Sequence, residues 1–134
     1  MKLPKQFSGE VIHGFGRGST KLGFPTANID PKSWDEKVNP NEYGVYCGLV
    51  RVRHDPNRFC VFSIGKNPTF QTEEPTFEVH ILDFNDDIYG EIITVEVLAY
   101  IRPMITFNSI GDLIKQITTD CQTARDTLSQ MINS

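Results

Sequence analysis

From Ile92 to Ile101 apolar side chains recur every second residue: Ile93, Val95, Val97, Ala99 and Ile101 fall on one face. A period of two suits a strand with one buried face and excludes a helix, which would scatter those residues around its axis. Thr76 to Asp83 repeats the pattern, with Phe77, Val79 and Ile81 on one side and Thr76, Glu78 and His80 on the other. Tyr43 to Arg53 and Arg58 to Ile64 read as two more strands, joined by the turn cluster His54-Asp55-Pro56-Asn57. Asn85-Asp86-Asp87 with Gly90 marks the turn before the last strand. Hairpins in succession with few helices predict a mainly β chain closed into an antiparallel barrel, because closure removes exposed sheet edges.

The period then changes. Ile110, Leu113, Ile114, Ile117, Cys121, Ala124, Leu128 and Met131 recur at helical spacing, so a C-terminal helix should lay this stripe on the barrel. Asn108 or Ser109 can cap it, and the Thr118-Thr119 pair weakens it slightly. Residues 30–42 show no period and read as a long polar loop around Trp34. A chain of 134 residues, 39% hydrophobic, is expected to form one domain over residues 1–134.

Charge and cysteines narrow the function. With 13 basic and 17 acidic side chains the net charge is −4, which disfavours a nucleic-acid partner. Cys47, Cys60 and Cys121 match no zinc spacing and read as free thiols in a reducing, cytoplasmic setting. No apolar run approaches a membrane span and the N-terminus shows no secretory core. His13, His54 and His80 form no ligand spacing. A monomer is expected.

One stretch carries chemistry. In Gly23-Phe24-Pro25-Thr26-Ala27-Asn28 a hydroxyl and an amide stand two residues apart, on the same side of an extended segment. Such uncharged oxygens suit a hard cation, Mg2+ above all, that keeps water and phosphate oxygens in its shell. Upstream, Gly14-Phe15-Gly16-Arg17-Gly18-Ser19-Thr20-Lys21 offers backbone N–H groups with no Cβ to bar an anion. Read separately, each segment is more often a turn or a flexible hairpin than a binding site. The glycines fit neither the Walker spacing nor the dinucleotide fingerprint.

Together the two segments closely resemble the signature of riboflavin kinases. Tyr43-Gly44-Val45-Tyr46, Ser63-Ile64-Gly65 with Asn67-Pro68-Thr69-Phe70, Glu78-Val79-His80-Ile81-Leu82-Asp83-Phe84, Tyr89-Gly90-Glu91, Ile101-Arg102-Pro103 and Phe107 with Ser109 follow in the family's order. The resemblance covers nearly the whole chain and is similar to the stand-alone, eukaryotic-type form. It implies a six-stranded, Greek-key-like barrel with a C-terminal helix, and transfer of phosphate from ATP to riboflavin to give FMN. It also implies Glu78 as the catalytic base and Thr26 with Asn28 as ligands of Mg2+, with Zn2+ or Mn2+ as alternatives. Nucleotide contacts would come from Gly14, Gly16, Thr20, Lys21, Thr26, Ile81, Asp83 and Tyr89. The flavin side would use Arg102, Ile105 and Phe107. Segments 14–18 and 103–107 are expected to act as lids.

Two positions depart from the family pattern. Thr20 stands where many relatives carry lysine, and Lys21 is displaced by one residue, which in an extended loop turns a side chain to the other side. Ile105 replaces a residue that tends to be charged in animal relatives, so a contact there would be through backbone. Two other classes compete: a flavin-binding barrel without catalysis, which would lack the metal pair or the glutamate, and a nucleic-acid-binding barrel, which the acidic balance opposes.

Overall fold

The computed structural model describes residues 2–12, 26–30, 38–53, 57–65, 75–84 and 87–133. Its strands are β1 (Lys5–Ile12), β2 (Ala27–Ile29), β3 (Gly44–Val52), β4 (Arg58–Gly65), β5 (Thr76–Ile81) and β6 (Ile92–Arg102), followed by the helix α1 (Ile110–Asn133). Among the described residues the strands close into a barrel in the order β1-β2-β5-β4-β3-β6. Every ladder is antiparallel, including the β1–β6 ladder that closes it. Three consecutive strands, β3, β4 and β5, lie side by side and β6 returns to pair with β3, which is a Greek-key connection.

Alternation fills the barrel. Phe7 and Val11 of β1, Ile29 of β2, Phe62 and Ile64 of β4, and Phe77, Val79 and Ile81 of β5 converge in one buried cluster. Burying side chains of this size stabilises by about 1.5–3 kcal/mol each relative to exposure. Strands β1 and β2 were not among the predicted strands. β1 carries its alternation on only Phe7 and Val11, with Gly9 between them, and β2 spans three residues. The expected loop at 30–42 ends in a 3-10 turn, Pro40–Glu42, where Glu42 accepts a hydrogen bond from the Asn39 N–H at 3.0 Å. Val38, just before it, packs against the interior cluster.

β6 departs from the predicted face. Ile93, Val95 and Val97 point inward as expected, but Ala99 and Ile101 lie in a second cluster outside the barrel, with Cys47, Leu82, Ala124 and Leu128. The β3–β6 ladder shifts register between Cys47 and Gly48 and again between Val45 and Tyr46. Each bulge adds one residue and reverses the facing of the residues beyond it, because the side-chain period is two. Gly48 makes the first bulge possible: a Cβ there would lie 1.9 Å from the Glu96 carbonyl oxygen.

The second cluster is the seat of α1. Ala124 and Leu128 are fully buried against the outer surface of the barrel, and Cys121 packs beside them. Ser109 caps the helix, its hydroxyl accepting from the Asp112 N–H at 3.1 Å. Thr118 and Thr119 donate back to the carbonyls of Ile114 and Lys115, bonds that satisfy the hydroxyls without strengthening the helix. The predicted stripe outruns its seat at both ends: Ile110 and Met131 are exposed.

Candidate active site

The outer face of the barrel carries one row of side chains drawn from five strands. Asn28 of β2 stands opposite Glu78 of β5, and Glu78 opposite Ser63 of β4. Ser63 stands opposite Val45 of β3, and Val45 opposite Arg102 of β6. Alternation explains this placement. Ala27 and Ile29 turn to the interior cluster and leave Asn28 outside, and Phe77 and Val79 do the same for Glu78. Directly opposed residues in an antiparallel pair lie about 4.5–5.5 Å apart at Cα, so Asn28 and Glu78 adjoin. Thr26, immediately before β2, is two residues from Asn28 and on the same side by alternation.

The two ends of the row differ in their bonding. None of the side chains of Asn28, Glu78 and Ser63 forms a hydrogen bond or ion pair among the described residues. Burial pushes the Glu78 carboxyl above its ordinary value. A half-buried carboxylate beside an amide, with no partner for either among the described residues, can present acceptors to a ligand. At the other end, the Arg102 guanidinium makes a bidentate pair with Asp120 of α1: Nη2 lies 2.7 Å from Oδ2 and Nε 2.9 Å from Oδ1. Its Nη1 donates to the Pro103 carbonyl at 3.0 Å, and its Cζ lies 5.9 Å from the centre of the Phe107 ring. Arg102 and Phe107, assigned together from sequence, are therefore neighbours in space.

No group of three or more His, Cys, Asp or Glu side chains able to hold a metal occurs among the described residues. The Thr26 and Asn28 oxygens fit a different arrangement, a hard cation that takes its remaining ligands from water and phosphate.

The riboflavin kinase model, named Flavokinase, matches residues 1–128. The chain belongs to the riboflavin kinase family. It is 40% identical over 126 residues to the bifunctional riboflavin kinase/FMN phosphatase of Arabidopsis thaliana, covering 93% of this chain and 33% of that protein. It is 38% identical over 127 residues to the riboflavin kinase of Homo sapiens, covering 94% of this chain and 82% of that one. Among solved structures, a macrolide-efflux protein from Streptococcus pneumoniae superposes with a TM-score of 0.77 and 39% identity, over 91% of this chain and 38% of that one. The riboflavin kinase of Trypanosoma brucei superposes with a TM-score of 0.69 and 30% identity, over 92% of this chain and 76% of that one. The chain thus spans about a third of the plant protein and most of the human one.

Against this riboflavin kinase fold the remaining site residues fall into three groups. Gly14, Gly16, Thr20 and Lys21 lie outside the described residues, as does the Asn67-Pro68-Thr69-Phe70 block. The ends of the first segment are fixed: Ile12 pairs with Asn28, and the Val11 carbonyl accepts from the Gly90 N–H at 2.8 Å. Tyr89, 53% exposed, thus stands where β1 enters the glycine-rich segment. Ile81 faces the barrel interior, so only its backbone is available to a nucleotide. The Asp83 carboxylate is turned to Arg125 of α1, at 3.0 Å, and that guanidinium together with Arg58 holds its pKa below the ordinary range. Asp83 itself sits at φ 57, a left-handed turn that an aspartate tolerates better than a bulky residue.

Of the positions assigned to the flavin from sequence, Ile105 is exposed, while its neighbour Met104 is half-buried. A Cβ on Gly65, whose φ is +149, would come within 3.3 Å of Met104 Cγ and 3.1 Å of Tyr43 Cβ. The absence of a side chain there lets segment 103–107 lie close to the end of β4. Sequence reasoning missed Ser63, Asp120 and Gln116. Ser63 had a signal in the alternation of β4; Asp120 had one too, as an acid inside the apolar arc of Ile117, Cys121 and Ala124.

Proposed function

We propose that this protein transfers the terminal phosphoryl group of ATP to the ribityl 5′-hydroxyl of riboflavin, giving ADP and FMN. The observation that carries this reading is the Asn28–Glu78 pair on the outer barrel face, with no protein partner for either side chain among the described residues. The 5′-hydroxyl is a weak nucleophile. Glu78 accepts its proton as the oxygen–phosphorus bond forms and the bond to the leaving ADP oxygen breaks. Burial raises the Glu78 pKa, which makes it a stronger base once ionised.

Thr26 and Asn28 would hold a divalent cation that neutralises charge on the phosphate oxygens. Their oxygen-only donor set favours Mg2+ over Zn2+, which prefers nitrogen and sulfur. The 14–18 segment would cover the phosphates. Arg102 stands on β6, three strands from Glu78 in either direction around the closed barrel, with Phe107 in the segment that follows β6. Phe107 can cover the ring and Arg102 can donate to a carbonyl or hydroxyl.

The setting agrees with a reducing compartment, and we place the enzyme in the cytoplasm as a monomer. All three cysteines are free. Burial pushes the Cys47 thiol up to about 11 and raises Cys60 further, so neither is a ready nucleophile. No helix among the described residues is long and apolar enough to cross a membrane.

Incubation with riboflavin and Mg-ATP, followed by chromatography, tests the reading. FMN and ADP should appear in equal amounts. Riboflavin recovered unchanged at saturating Mg-ATP would contradict it.

A further inference from the structure

We propose that Asp120, supported by Gln116, is a positioning residue that holds Arg102 in the orientation needed to bind the flavin; this rests on the riboflavin kinase reading given above. Asp120 sits in the middle of α1, 3% exposed, and is the one charged residue buried to that degree among those described. Its Oδ1 accepts from Arg102 Nε at 2.9 Å and from Gln116 Nε2 at 3.0 Å. Its Oδ2 accepts from Arg102 Nη2 at 2.7 Å and from Nε at 3.2 Å. Gln116 stands one helical turn earlier, the i to i+4 spacing that brings two side chains together.

Stability is a weak reason for this arrangement. A buried ion pair can often be replaced by well-packed apolar residues at no loss, because the desolvation of both charges offsets their attraction. The surroundings would accept such a replacement, since Ala124, Leu128, Ala99 and Ile101 already form an apolar seat. What the pair supplies is direction. A bidentate fork fixes the guanidinium plane. A guanidinium has five N–H groups. Three of them are committed, at Nε and Nη2 to Asp120 and at Nη1 to Pro103, so one N–H on each terminal nitrogen has no partner among the described residues. Both belong to a group whose Cζ lies 5.9 Å from the Phe107 ring centre. The second bulge restores at Arg102 the outward facing that the first had reversed, and Asp120 then holds the guanidinium there.

The chain of contacts also reaches the backbone. Arg102 Nη1 holds the Pro103 carbonyl, the first residue of the segment that carries Phe107. Loss of the Asp120 charge therefore loosens both flavin-side groups together and leaves the Asn28–Glu78 end untouched.

The test is steady-state FMN formation by the full chain, with Asp120→Asn, Asp120→Glu and Gln116→Leu beside wild type. Asp120→Asn should raise KM for riboflavin about ten-fold, with kcat and KM for ATP within about two-fold of wild type. Asp120→Glu, which keeps the charge, should recover much of the loss. Gln116→Leu keeps the ion pair, should fold even if Asp120→Asn does not, and should raise KM for riboflavin about three-fold. A urea midpoint for each variant separates position from stability. Variants that are less stable but bind riboflavin with unaltered KM would overturn the proposal, as would equal rises in both KM values. A wild-type protein that forms no FMN would overturn the functional reading and this proposal together. FMN formation by wild type beside an unaltered riboflavin KM in Asp120→Asn and Gln116→Leu would overturn this proposal alone.

Discussion

The two ends of the outer-face row are built to opposite rules. At the Arg102 end the side chain is tied to protein partners: the guanidinium meets a carboxylate with both oxygens, a backbone carbonyl and an aromatic ring. At the Asn28–Glu78 end nothing is matched among the described residues, although Glu78 is withdrawn from water enough to raise its pKa. Both ends share one sheet face and antiparallel ladders, so local structure does not account for the difference. The helix does. α1 packs over β3, β4 and β6, and it brings Asp120 to one end while leaving the other uncovered. A polar group left without partners among the described residues is where a ligand's charge should arrive; one tied to a carboxylate is held in a fixed orientation.

The largest expected effect breaks the open end. Glu78→Gln keeps the shape and removes the proton acceptor, so turnover should fall about 10²-fold or more, with nucleotide affinity nearly unchanged. Near-normal turnover would remove Glu78 as the base. The same variant sharpens the comparison through stability. The Glu78 pKa is raised in the folded state, so the native protein holds this proton at pH values where the unfolded chain has released it. That contribution is fully present below the unfolded-state value and is lost as pH rises through the folded one. Glu78→Gln does not ionise. It should therefore gain stability relative to wild type as pH rises through that window, and match it in acid. A urea-midpoint series across pH reads this directly, and a constant difference would contradict it.

Asn28→Leu is expected to act next most strongly. It deletes the amide oxygen at similar size, so the Mg2+ concentration giving half-maximal activity should rise about ten-fold while the far-UV spectrum is unchanged. An unaltered Mg2+ titration would sink the metal assignment.

The smallest effect should come from the helix's other ion pair. Asp83 and Arg125 meet at 3.0 Å, with side chains 74% and 42% exposed. Exposed pairs are screened by water and contribute little. Arg125→Ala should leave turnover within about two-fold of wild type and the urea midpoint close to it. A loss as large as that of Asp120→Asn would mean that exposure does not separate the two pairs.

Much of this architecture was legible in the sequence. The alternation of 76–83 showed which way Glu78 points, and the apolar spacing from 110 onward marked the helix. β6 was legible only in part. Its apolar period continues unbroken through Ala99 and Ile101, and the reversal of their facing comes from the first of two bulges in its ladder with β3, a long-range fact that no local pattern carries. The same limit applies to the row itself. Asn28, Glu78 and Arg102 could each be named from their motifs, but their alignment depends on the registers of four ladders. Asp120 was hidden for another reason. An acid on the apolar arc of a helix is visible in sequence, whereas the arginine that accounts for it comes from β6, on the far side of a loop.

If phosphoryl transfer occurs at the Asn28–Glu78 end of the row, the metal that accompanies the nucleotide must sit there. Mn2+ with ADP, added to isotopically labelled protein, reports the place directly through paramagnetic broadening of amide resonances. Broadening should centre on residues 26–30 and 76–79 and spare residues 122–133 of α1. Broadening centred on α1 or on the Arg102 end, with the amides of Asn28 and Glu78 left sharp, would contradict that placement.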